Sequence, residues 1–159
     1  MKYASIIASP IGNITIFADD DFVYSITFAE IKAEDLIENK LTRNAAAQLN
    51  AYFDGKLKDF DLPIKQKGTE FQQDVWQNLL TIPYGDTTSY AKFSAHKPLA
   101  IRAIAAANGK NDIAIVIPCH RVIGSNGKLV GYAGGLWRKQ WLLQHESETE
   151  QKGQTTLKF

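Results

Sequence analysis

Residues 117 to 121, Ile-Pro-Cys-His-Arg, hold the single cysteine of the chain, Cys119. A thiol with no second cysteine forms no internal disulfide and has no resolving partner, so it is a nucleophile, a metal ligand or inert packing. Nucleophilic attack needs the thiolate, and the cations on its C-terminal side, His120 and Arg121, would draw the thiol down from its free pKa of about 8.5. Pro118 restricts the backbone just before the reactive position. A metal would have to recruit His96, His120 and His145. No C-x-x-C or H-x-x-x-H spacing accompanies them, so neither a metal nor any other cofactor is expected. If Cys119 and His120 follow one another on a strand, their side chains point to opposite faces, and a working pair needs a turn or a bridging water. Glu146 lies near the expected end of the last helix, where a carboxylate is unfavourable; it should have a partner.

These groups need elements to carry them. The run Ile113–Ile117, IAIVI, reads as a buried strand that delivers Cys119 at its end. Before it, Pro98 opens a helix, PLAIRAIAAANG, closed at Asn108-Gly109. Its surface of alanines is broken by one long cation, Arg102, as suits a helix that must approach a groove closely. A shorter helix from Ser89 to His96 precedes it, and the pair reads as a helix-turn-helix. Thr69 and Gln72 form a capping box for a helix carrying Phe71, Val75, Trp76 and Leu79. After the cysteine come a glycine-dense loop, GYAGGL (131–136), and a last helix, Leu136–Glu146. The first third reads as three strands, Tyr3–Ile7, Asn13–Ala18 and Phe22–Phe28, followed by helices Glu34–Lys40 and Thr42–Phe53, the latter capped by Thr42. The charged, proline-containing stretch 56–68 reads as a linker. The expected division is 1–65, 66–147 and a flexible tail, 148–159.

Composition narrows the function classes. Hydrophobic residues make up 45% and charged residues 22% of the 159 residues, ordinary for a globular protein. No apolar run approaches the ~18 residues of a membrane span, and the N-terminus makes a poor signal peptide. With one cysteine, a cytoplasmic location is expected, or a nuclear one in a eukaryote. Residues 1–65 hold seven Lys/Arg and ten Asp/Glu, whereas residues 66–146 hold nine and five, so the second part is basic. A basic half suits an anionic partner.

In order and spacing, FQQDVWQNLLTIPYG, TTSYAKF, IRAIAAANGKN, PCHRV, GYAGGLWRK and WLLQHE resemble the O6-alkylguanine-DNA alkyltransferase family (methylated-DNA–protein-cysteine methyltransferases). The resemblance spans residues 68–146 almost completely; QLNAYFDGKLKDFDLPI (48–64) resembles the segment leading into it. It implies an α+β fold: a small N-terminal antiparallel sheet with helices, ribonuclease H-like, and a mostly helical C-terminal domain with a helix-turn-helix. It implies irreversible transfer of the alkyl group of O6-methylguanine, with O4-methylthymine a second candidate, to Cys119 in double-stranded DNA. His120 would act on the thiol through water and Glu146 would hold His120. Asn111 would brace the turn that carries the cysteine, and Tyr90 would donate toward the guanine ring. Arg102 would fill the hole left by the flipped nucleotide, with Ala103, Ala106, Ala107 and Arg121 also facing DNA. Val122, Tyr132, Ala133 and Gly134 would line the base pocket. A monomer that clusters on DNA and needs no membrane is implied. Two departures stand out: Asp112 where many relatives have proline, and Ala133 where some have serine. Two readings compete: a damage recogniser of the alkyltransferase-like type, which lacks the cysteine, and a Cys-His hydrolase, which needs a direct thiol–imidazole pair.

Overall fold

The computed structural model describes residues 2–29 and 36–157, with side chains through Gln151. They fall into two compact units, Met1–Lys67 with Asp112–Val116, and Gly68–Asn111 with Ile117–Phe159.

In the first unit, strands β1 (Tyr3–Ile7), β2 (Ile14–Ala18) and β3 (Val23–Thr27) form an antiparallel sheet in the order β1-β2-β3. Ile7 pairs with Ile14 across a turn closed by Ser9 and Gly12, whose φ of 100° is open to glycine. The Asp19 carboxylate accepts from the Asp21 and Phe22 N–H groups at 2.8 and 2.7 Å and so shapes the β2–β3 turn. Helix α1 (Lys40–Phe53) buries Thr42, Ala45, Leu49 and Tyr52, a stripe at helical spacing. Its cap is Asn39 and not Thr42. The Asn39 side chain accepts from the Thr42 N–H at 2.9 Å, while Thr42 Oγ1 accepts from the Asn39 N–H at 3.0 Å. Thr42 is the third helical residue, the other member of that capping box, and is itself buried, so the helix starts earlier than the alanine run indicates. The helix expected over 34–40 lies partly outside the described residues, and 36–39 are not helical.

The run IAIVI is not a strand. Ile113 makes one parallel bridge to Ile26, and the chain then turns. The Val116 N–H donates to Ala114 O at 2.8 Å around Ile115, whose φ is 71°. This is a γ-turn of the rarer hand, on a β-branched residue that disfavours it. Its buried side chains made the run look like a continuous strand, but burial here comes from neighbours and not from a ladder.

In the second unit, α2 (Glu70–Leu79) has the expected box. Thr69 Oγ1 accepts from the Gln72 N–H and Gln72 Oε1 from the Thr69 N–H. Val75 packs with Ile104 and Ala107, flanked by Phe71 and Phe93, and Trp76 Nε1 donates to Ala107 O at 2.9 Å. The two-residue strands β4 (Thr88–Ser89) and β5 (Val122–Ile123) pair in parallel. Helix α3 (Tyr90–Phe93) is shorter than expected; Ser89 Oγ accepts from the Lys92 N–H. A 3₁₀ turn at Pro98–Ala100 leads into α4 (Ile101–Gly109). Helix α5 runs from Leu136 to Leu157, far beyond the expected end at Glu146, so the segment from 148 continues the helix.

Candidate active site

Cys119 begins a 3₁₀ turn, Cys119–Arg121, that leads directly into β5. Its own N–H donates to Ile117 O at 2.8 Å around Pro118, at φ −82° and ψ 62°. That is the common inverse γ-turn, for which the proline ring is pre-set. Asn111 Nδ2 donates to Ile117 O at 3.1 Å and braces this bend. The tight turn sends successive side chains in different directions.

His120 is wholly buried, and its Nε2 lies 2.7 Å from Glu146 Oε2. Glu146 also accepts from Arg121, Oε1 from Nε at 2.8 Å and Oε2 from Nη2 at 3.2 Å, while Arg121 Nη1 donates to Ile82 O at 2.7 Å. The expectation that Arg121 faces DNA is therefore not met. Its guanidinium is turned inward, stacked over the Tyr84 ring with 5.6 Å between guanidinium carbon and ring centre. Burial would raise the Glu146 carboxyl, but His120 and Arg121 outweigh it and hold the group well below the usual carboxylate range. For His120, burial outweighs the attraction of Glu146, and the nearby Arg121 adds to it, so its pKa is lowered. The pair is thus a carboxylate with a neutral imidazole. An ionised carboxylate only accepts, so the ring proton is on Nε2 and Nδ1 keeps a lone pair. That Nδ1 is buried and makes no hydrogen bond within the protein.

Glu146 does have its partners, although not for the reason of helix position: α5 continues past it, and it sits mid-helix. Lys139, Leu142 and Glu146 form one buried face of α5. Sequence reasoning missed Lys139. Its ammonium, with the side chain fully buried, donates to Val122 O and Val130 O, both at 2.7 Å, and to Gly131 O at 3.4 Å. It ties the glycine loop to the strand after the cysteine. The signal available was its spacing, three and seven residues before Leu142 and Glu146 on a helix.

The thiol lines a cavity of ~130 Å³ with Tyr90, Ala105, Asn108, Gly109, Asn111, Gly131, Tyr132 and Ala133. Of the expected lining, Tyr132 and Ala133 are present. Val122 and Gly134 are not: Val122 is buried in β5, and the Gly134 carbonyl accepts from Arg138 Nη1. Burial pushes the Cys119 thiol up; a hydrogen bond from Asn111 and the charge of Lys139 act in the other direction without overcoming it. The lowering expected from His120 and Arg121 does not arise, because the first is neutral and the second is neutralised by Glu146. Cys119 at rest is a protonated thiol in need of a base.

On α4, Arg102, Ala103 and Ala106 are exposed, and fully exposed Leu99 precedes them at the same helical spacing. Ala107, expected among the DNA-facing residues, is buried in the core beneath. Among the described residues no cluster of His, Cys, Asp and Glu is placed to hold a metal ion, and His145 stacks on Trp141 with ring centres 4.9 Å apart. Nor is any described helix long and apolar enough to cross a membrane.

Comparison with known proteins covers both units. Residues 1–66 match the model of the 6-O-methylguanine DNA methyltransferase ribonuclease-like domain, and residues 70–148 that of its DNA binding domain. A methylated-DNA--protein-cysteine methyltransferase of Methanosarcina barkeri is 49% identical over 152 residues, covering 91% of this chain and 96% of the relative. The protein of that name from Mycobacterium tuberculosis is 44% identical over 147 residues, with 88% and 89% covered. A crystal structure of M. tuberculosis OGT in complex with DNA superposes with a TM-score of 0.83 at 43% identity, covering 92% of this chain and 94% of that one.

Proposed function

The chain belongs to the 6-O-methylguanine DNA methyltransferase family, and from that premise we propose that it binds duplex DNA and moves the alkyl group of O6-alkylguanine irreversibly to its own Cys119. The observation that carries this reading is the placement of Cys119 in a small cavity beside Tyr90, with a neutral, carboxylate-held His120 adjoining it in the chain.

The chemistry follows from those groups. The thiol is protonated at rest, and the lone pair of His120 Nδ1 takes its proton through a bridging water. The charge that develops on His120 is met at once by Glu146, which is fixed in place by Arg121 and so needs no reorganisation. The sulfur attacks the alkyl carbon; the C–S bond forms as the bond from that carbon to guanine O6 breaks. Negative charge then grows on the guanine ring, where a hydrogen bond or proton from Tyr90 makes it a better leaving group. The product thioether has no nearby group able to cleave it, so each molecule acts once.

A guanine inside a duplex cannot reach this cavity, so its nucleotide must leave the stack, at a cost of roughly a few kcal/mol. The exposed stripe of Leu99, Arg102, Ala103 and Ala106 supports a groove-facing helix from which Arg102 enters the vacated space. The protein acts as a monomer that clusters along DNA, in a reducing compartment, cytoplasm or nucleus, that keeps the thiol free. A recogniser without chemistry has no use for a cysteine facing the cavity, and a hydrolase needs the direct thiol–imidazole pair that is not present.

Mass spectrometry after mixing with excess duplex carrying one O6-methylguanine tests the reading. One methyl per protein, found on Cys119 and lost in Cys119→Ala, is the expected result. DNA binding without any mass change would overturn it.

A further inference from the structure

Asn108, on the last turn of α4, is buried and lines the same cavity as Cys119. Its Nδ2 donates to Tyr90 Oη at 2.7 Å and lies 3.5 Å from the Cys119 carbonyl oxygen. A carbonyl can only accept, so this second contact sets which end of the amide faces Tyr90. Asn108 Oδ1, on the other side, has no partner within the protein. The amide therefore makes its bonds through Nδ2 alone, and one of them ends on the phenol.

A phenolic oxygen that accepts one hydrogen bond from Asn108 has its own O–H left to give. We propose that Asn108 is a positioning residue for alkyl transfer: by donating to Tyr90 Oη, it directs the tyrosine O–H into the cavity, toward the ring of the departing guanine. The inference rests on the reading of Cys119 as alkyl acceptor and adds a group to it. In the step itself, the Cys119 Sγ–carbon bond forms, the carbon–O6 bond breaks and its electron pair stays on guanine. The proton that neutralises guanine comes from Tyr90 Oη; Tyr90 regains one, and His120 releases the thiol proton, by exchange with solvent. Burial makes Tyr90 a weaker acid than a free tyrosine, and the Asn108 bond acts against that, the direction a proton donor needs.

The test is a double-mutant cycle read by single-turnover transfer from O6-methylguanine in duplex DNA. Tyr90→Phe should lower the rate about a hundredfold, and Asn108→Leu about ten- to a hundredfold. If Asn108 works through Tyr90, adding Asn108→Leu to Tyr90→Phe should change the rate by less than about twofold. Far-UV circular dichroism and the urea unfolding midpoint of Asn108→Leu show that the variant is folded. Asn108→Asp provides a second variant of nearly equal size. Its carboxylate accepts the Tyr90 O–H and turns it from the cavity, so its rate relative to the unsubstituted protein should be lowest at high pH and recover as pH falls. Losses that multiply as independent effects, or an Asn108→Asp protein that matches the unsubstituted one at every pH, would overturn the inference while leaving the alkyl-acceptor reading intact. Failure of the unsubstituted protein to take up any methyl would overturn both.

Discussion

Replacing Arg121 with methionine keeps an unbranched side chain of similar length but removes the three hydrogen bonds that the guanidinium makes, two to Glu146 and one to Ile82 O. What remains is a carboxylate 1% exposed that keeps its hydrogen bond to His120 and a long one from the Gly85 N–H. Breaking a buried ion pair from one side costs about 3–5 kcal/mol, a large part of a total stability of about 5–15 kcal/mol. For a chain of this size that is a fall in Tm of roughly 6–20 °C. The protein has one way to soften the loss, which is to protonate His120. Burial, Arg121 and Lys139 now lower the His120 pKa while Glu146 raises it; with Arg121 gone, one of the opposing effects is lost and the pKa rises toward its unfolded value.

The two proteins should then differ in how steeply their stability responds to pH. With Arg121 present, His120 is depressed below its unfolded value near 6.5, so its neutral form favours folding above that pH, and this contribution is lost as pH falls through the window beneath it. In Arg121→Met, a folded pKa less far below the unfolded one leaves a smaller contribution of the same sign, so less stability is lost as pH falls. Urea denaturation between about pH 5.5 and 8 should show the deficit of the variant widening with pH. Single-turnover methyl transfer should show its acid limb displaced to higher pH, since a protonated His120 cannot take the thiol proton. An acid limb at or below that of the unsubstituted protein, or a stability loss under about 1 kcal/mol, the range of exposed ion pairs, would refute the account of Arg121 as a group that adds to burial in keeping His120 neutral.

Lys139→Met should destabilise the protein by about 1.5–3 kcal/mol, the worth of charged hydrogen bonds, because the Val122, Val130 and Gly131 carbonyls lose their common donor. It also removes a charge that lowers the Cys119 thiol, so the pH at which iodoacetamide reacts should move up. Arg102→Ala should slow repair of duplex DNA and flatten the salt dependence of binding by about one unit of slope if it also meets a phosphate; transfer from a free O6-alkylguanine base should be retained, and a duplex rate equal to that of the unsubstituted protein would remove Arg102 from the flipping step.

Much of the site was legible because its parts lie close together in the chain or announce themselves by type. The lone thiol in PCHRV, the Thr69–Gln72 box and the three strands are local features, decided by side-chain chemistry within a few residues. Asn39 was missed as a cap because a threonine three residues on offers a side-chain oxygen to the same task, and only the observed bonds tell which residue starts the helix. The IAIVI run misled because periodicity reports burial and not the ladder that makes a strand.

What the amino-acid sequence determined by itself was the family to which the chain belongs, the candidate nucleophile and the order of the elements around it. The tertiary structure alone decided the states of the charged groups. Arg121 reads as a surface cation, and nothing near it in the chain shows that Glu146, 25 residues away, turns it inward. Neither does the chain show that Lys139 is buried against three carbonyls, or that Asn108 meets Tyr90 18 residues away. A proton's position depends on desolvation and on charges a few ångströms distant. Those distances exist only once the helices have packed.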